Sequence, residues 1–294
     1  MIQFYTAAQL LSLCKDMNIP ISEAMTLREI DLMETNLETI KRRMAHSWDI
    51  MKEAVREGRE GGFRSMGGLI GGEAAKMKTH REEAGAVCGD MVSKAASYAM
   101  GVLEVNASMG LIVAAPTAGS SGVIPGVFCA LQETYGFADE QMVEALMNAG
   151  AIGYLAMQNA TVAGAEGGCQ AEIGVAAAMA ASAAVELMGG TPEQSLSAAG
   201  GTLATMLGLV CDPIGGLVEA PCQKRNATGA ANALVNAEMA LSGVQTLIPF
   251  DEMLQVMYRV GRSIPYELRE TALGGIASAP TACELCKNGA ACKK

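Results

Sequence analysis

The sequence predicts a mainly α protein: a large helical domain whose helices are joined by glycine-rich turns. Three observations carry that expectation. Apolar residues recur in steps of three and four, period-two strand patterns are almost absent, and half of the 294 residues are hydrophobic while only 4% of the chain is aromatic, with Ala and Met abundant. Small side chains let helices approach closely, and this apolar content is enough to bury a large core.

Residues 1–60 are read as an N-terminal segment. Within it Ile30, Met33, Leu37, Ile40, Met44, Trp48, Met51 and Val55 trace one stripe, predicting a single long amphipathic helix that Ser22 caps after Pro20 and Gly58 stops. Residues 61–280 form the second region. Glycine pairs at 61–62, 67–68, 71–72, 167–168, 189–190, 200–201, 215–216 and 274–275 punctuate Ala-rich helical runs, as helix ends, close packing or amides free to face a ligand. The uncharged run from Ala145 to Ala165 holds Asn148, Gln158, Asn159 and Thr161, so it reads as a buried helix of a soluble protein and not a membrane span. The tail, 281–294, carries Cys283, Cys286 and Cys292 beside Lys287, Lys293 and Lys294, and is expected to be mobile or ligand-linked. Its CxxC suits zinc or a cluster, or a solvated tail with incidental thiols.

The formal charge is 21 − 31 = −10 with the basic residues scattered, which excludes a nucleic-acid surface and binding to acidic membranes. Met1 to Leu13 has no basic start, so no signal peptide is read and a cytoplasmic protein is expected. In that compartment the nine cysteines stay reduced and serve burial, catalysis or metal. There are two histidines, His46 on the long helix and His80 in an expected loop, too few for a His-based triad or a His-rich zinc site.

Chemistry is therefore sought at three thiols: Cys169 in AEGGCQAE, Cys211 in GLVCDPIGG and Cys222 in EAPCQKRN. Each is either a buried free cysteine or a thiol held on a rigid Gly/Pro turn among open amides, the surroundings an iron-sulfur cluster needs. The segment Gly110 to Gly126 opens into Thr117, Gly119, Ser120 and Ser121, a simple capped turn or a cradle for a carboxylate or phosphate.

Four pieces occur in order: APTAGSSGVIPG, NATVAGAEGGCQAEIG, CDPIGGLVEAPCQKRN and VGRSIPYELRETALGG. On these the sequence resembles the α subunit of the iron-sulfur-dependent L-serine dehydratases, from MGGLIGGEAAKM to ALGGIASAPTAC. The resemblance implies a carbon-nitrogen lyase that turns L-serine into pyruvate and ammonia, with 61–280 as the cluster-binding catalytic domain. It makes Cys169, Cys211 and Cys222 the ligands of a 4Fe-4S cluster whose open iron acts as Lewis acid on the substrate hydroxyl, without net redox work. Arg225, as a clamp for the substrate carboxylate, and Lys76 are the candidate catalytic residues, each with a solvated-surface alternative. Thr117, Gly119, Ser120, Ser121, Lys224 and Asn226 are the candidate substrate-binding groups. Longer members of the family carry an additional domain with an SSHT-like segment, which implies that a separate β subunit completes the site in trans. Cys292 is a candidate removable fourth ligand. Competing readings are the same cluster acting on L-cysteine or L-threonine, a pyridoxal-phosphate deaminase using the TAGSSG loop as phosphate cradle, and a non-catalytic redox protein.

Overall fold

The computed structural model describes residues 2–288, and every regular element among them is helical. In chain order the helices are α1 (Ala7–Met17), α2 (Ile21–Leu32), α3 (Leu37–Glu60), α4 (Glu73–Ala84), α5 (Gly89–Ala107), α6 (Val123–Tyr135), α7 (Asp139–Asn159), the single turn α8 (Gly164–Gly167), α9 (Val175–Leu187), α10 (Pro192–Met206), α11 (Cys222–Leu241), α12 (Phe250–Ser263) and α13 (Pro280–Asn288). One isolated bridge pairs Cys211 with Arg269.

Helix α9 is the centre of the molecule. Its sequence, VAAAMAASAAVEL, is apolar on every side, and the residues from Val175 to Val185 are all buried. A helix without a polar face has to be surrounded, and α9 packs against α6, α7, α10 and α11. Its one polar side chain among these, Ser182, donates to Asn148 Oδ1 of α7 at 2.7 Å. The contiguous core runs from Phe4 to Met257.

The predicted helical character holds, but several boundaries differ. The expected long helix is two helices: Glu34 turns left-handed (φ 48°), and Asn36 caps α3 by accepting from Thr39 N at 2.9 Å. Pro20, not Ser22, precedes the first turn of α2, and Ser22 is buried inside that turn. Gly58 does not stop α3, which ends against Gly61 (φ 74°); Gly58 instead meets Gly101 of α5. Gly200 and Gly201 lie within α10, and His80 within α4. The run from Ala145 is helical to Asn159 and then breaks before α8. The start of the tail, Pro280–Asn288, is helical, while Cys292 lies outside the described residues.

Candidate active site

Three chain segments present the singled-out thiols, and two of them, Cys169 and Cys211, come together with Glu172, a group that does not include Cys222. The first turns at Gly168 (φ 74°), where a Cβ would strike Leu209 O at 2.8 Å, so glycine is required for the chain to pass so close. Cys169 follows, and a π turn over Gln170–Gly174 leads into α9. Such a widened turn re-aims side chains and is often found at functional sites. Gln170 fastens it from both ends of its amide, donating to Met257 O at 2.8 Å and accepting from Gly208 N at 2.9 Å. The second segment presents Cys211, whose N–H donates to Leu268 O and whose carbonyl accepts from Glu270 N. The third presents Cys222 as the first residue of α11.

All three thiols are almost fully buried. Cys169 Sγ, Cys211 Sγ and a carboxylate oxygen of Glu172 lie within 4.8 Å of one another. Glu172 Oε1 accepts from the Thr117 hydroxyl at 2.9 Å, and Oε2 stands 4.0 Å from Cys211 Sγ. The Cys211 thiol is pushed far up by its hydrogen bond with Cys169 and by burial. Burial, then the neighbouring Cys169, pushes Cys222 up to about 12, with Arg225 opposing. Burial also raises the Glu172 carboxyl, against the Thr117 hydrogen bond. Burial thus favours the protonated form of the Cys211 and Cys222 thiols, and a bound cation would exchange for those protons.

The loop beside Glu172 is folded by its own hydroxyls. Ser120 and Ser121 are fully buried, and their Oγ atoms donate to Thr117 O and Ala118 O. Asn226 is a buckle between this loop and α11: it accepts from Gly122 N at 3.0 Å and donates to Gly119 O at 2.8 Å and Cys222 O at 2.9 Å. Thr117 and Gly119 are the loop residues that border Glu172.

The cations divide. Arg225 donates through Nη1 to Val210 O at 2.9 Å and through Nη2 to Asp212 Oδ1 at 2.7 Å, so it ties α11 to the Cys211 segment, and its charge acts on Cys169 and Cys222. Lys224 is exposed and lines a separate cavity of about 370 Å³ with Leu69, Glu73 and Ile276. Lys76 is exposed on α4, near Glu73. Glu172, absent from the candidates named from the sequence, stands one helical turn after Cys169 in the AEGGCQAE motif, a spacing that places both on one side of a helix. Glu219 and Glu104 are likewise absent from those candidates, and their carboxylates take up amides of the 61–72 loop and of the first turn of α4: Glu219 accepts from Gly67 N at 2.6 Å and Leu69 N at 3.0 Å, and Glu104 from Gly72 N at 2.8 Å and Ala74 N at 2.9 Å.

The family model for the serine dehydratase alpha chain matches residues 16–277. The chain is 46% identical over 282 residues to the probable L-serine dehydratase, alpha chain, of Bacillus subtilis, covering 96% of this chain and 94% of that one. It is 42% identical over 276 residues to the L-serine dehydratase, alpha chain, of Peptoniphilus asaccharolyticus, covering 94% of each. With the L-serine dehydratase TdcG of Escherichia coli the identity is 34% over 284 residues, 93% of this chain but 61% of that protein.

Proposed function

The chain belongs to the serine dehydratase alpha-chain family, and from that premise we propose that it is the catalytic subunit of an L-serine dehydratase, eliminating water from L-serine to give pyruvate and ammonia. The observation that carries the reading is the convergence of buried Cys169 and Cys211 with Glu172, with Cys222 close enough to Cys169 to be raised by it.

The donor set fits a 4Fe-4S cluster: three unpaired thiols on rigid turns from three segments, in an apolar shell with a cation, Arg225, beside them. Cys169, Cys211 and Cys222 would hold it. When bound, such a cluster supplies a Lewis acid toward the substrate hydroxyl. The chain's own groups do the rest. Arg225 and Asp212 hold the Cys211 segment against α11, and the Arg225 charge favours ionised thiols. Asn226 fixes the Thr117–Gly122 loop over the site, and the Thr117 hydroxyl orients Glu172. The hydroxyls of Ser120 and Ser121 are spent inside the loop, which weighs against a phosphate cradle and hence against the pyridoxal-phosphate reading.

A separate β subunit is part of the proposal, because the relatives of B. subtilis and P. asaccharolyticus, each matched over 94% of its length, are named alpha chains. No helix among the described residues is long and apolar enough to cross a membrane. The test is anaerobic reconstitution with iron and sulfide, followed by a pyruvate assay with and without the co-purifying partner. Wild type is expected to bind about four irons per chain and to form pyruvate, and Cys169→Ala, Cys211→Ala and Cys222→Ala to lose both. Variants that keep their iron, or pyruvate formed by iron-free protein, would overturn the assignment.

A further inference from the structure

Glu172 is a carboxylate without a cation. Among the described residues no lysine or arginine nitrogen lies within 4.0 Å of it, and the charge that acts on it is another carboxylate, Glu270. A carboxylate set inside the protein with no cation beside it is costly to ionise, and a ligand that brings a positive charge to it removes that cost. Unlike the thiols, Glu172 keeps some exposure. Two glycines let the chain pass close beside it: a Cβ at Gly164 would come within 2.6 Å of Oε2 and 3.1 Å of Cys211 Sγ, and one at Gly119 within 3.4 Å of Oε1. One oxygen is anchored by Thr117, and the other faces the thiols.

An α-amino acid brings a cation of the right size. In serine the ammonium nitrogen and the β-hydroxyl oxygen are three bonds apart, at most about 4 Å. Whatever holds the ammonium must therefore stand beside the groups that handle the hydroxyl, and Glu172 stands 4.0 Å from the Cys211 sulfur. We infer that Glu172 binds the α-ammonium group of the substrate and thereby selects amino acids over the corresponding hydroxy acids. This rests on the dehydratase reading and adds to it the residue that recognises the amino group.

The test uses the reconstituted holoenzyme with its partner subunit. L-Alanine and L-lactate share a skeleton without a β-leaving group, so neither is turned over, and they differ at the one group in question. Calorimetry of both is compared for wild type, Glu172→Gln and Glu172→Asp, together with iron and sulfide content and the circular dichroism spectrum. Wild type should prefer alanine. Glu172→Gln should keep its iron and lose alanine affinity by roughly 10- to 100-fold with lactate unaffected, the span expected for a lost hydrogen bond to a charged group, and Glu172→Asp should recover part of it. Two results from the variants sink the inference: a Glu172→Gln protein that still prefers alanine as wild type does, or loss of iron in both folded variants, which would make Glu172 a ligand. A wild type that holds iron but shows no preference for alanine also overturns it while leaving the cluster assignment standing. If Glu172→Gln does not fold, Glu172→Asp decides by whether alanine affinity falls while iron is retained.

Discussion

At the scale of single residues, the site is organised by charges that meet inside the protein. Asp212 is 2% exposed, and its two oxygens accept from Arg225 Nη2 and from Ile276 N, each at 2.7 Å. One carboxylate thus joins the Cys211 segment, the start of α11 and the turn that leads to α13. Removing one partner of a buried pair strands the other charge, at a cost of about 3–5 kcal/mol, whereas removing both can be nearly neutral. Arg225→Met is expected to lower the urea midpoint accordingly, and the double variant Asp212→Asn/Arg225→Met to regain most of the loss. Recovery in the double variant is the measurement that separates a brace from a substrate clamp, because a clamp's loss would show in substrate affinity and stay lost. The cysteines could be read from the sequence because each sits in a motif of its own. The partner of Arg225 could not, since nothing in a row of residues says which carboxylate lies across a turn from a guanidinium. Glu172 was hidden for the opposite reason, standing inside a recognised motif where the neighbouring thiol drew the attention.

At the scale of elements, the same residue type has opposite meanings in different helices. Gly58 of α3 lies against Gly101 of α5, and a Cβ on it would come within 2.4 Å of the Gly101 backbone. Backbone cannot rotate away as a side chain can. Gly58→Ala should therefore destabilise by about 1–3 kcal/mol through forced separation of the helices, although alanine is the better helix former by about 1 kcal/mol. Gly150 in α7 has nothing within 4 Å of the corresponding point, so Gly150→Ala should stabilise by the propensity gain, about 0.5–1 kcal/mol, and raise the melting temperature. Equal effects of the two substitutions in thermal unfolding would contradict this account of the α3–α5 crossing. The periodicity that reveals a helix is silent on such crossings, which is why Gly58 reads as a stop. It also runs through the break at Glu34, because the apolar stripe continues from α2 into α3 while the signal for the interruption is a single cap, Asn36 with Thr39 three residues on.

At the scale of the whole molecule, acidic groups pull stability in opposite directions with pH. Asp139 holds α7 to α3 and α6, accepting from Lys52, Gln132 and Trp48, and these hydrogen bonds lower its carboxyl from 3.8 to about 2. Its contribution is present above the ordinary carboxylate range and is lost as pH falls toward about 2. Glu104 and Glu186 behave in the reverse sense, because burial raises both. The folded chain then keeps protons that the unfolded chain has released, so stability falls as pH rises above 4.5 and levels off once pH passes the raised folded values. A net charge of −10 adds self-repulsion on the same side. The iron-free chain should accordingly melt highest in mild acid. In the Glu186 network the bonds from Ser22 N and Asn148 Nδ2 both fall on Oε2, so a glutamine can keep that oxygen in place while shedding the charge. Glu186→Gln is expected to leave the melting temperature near pH 4.5 almost unchanged and to raise it at pH 8, flattening the decline between them. A decline as steep as that of the wild type would mean that the buried carboxylate at Glu186 does not set the pH dependence, and that surface repulsion does.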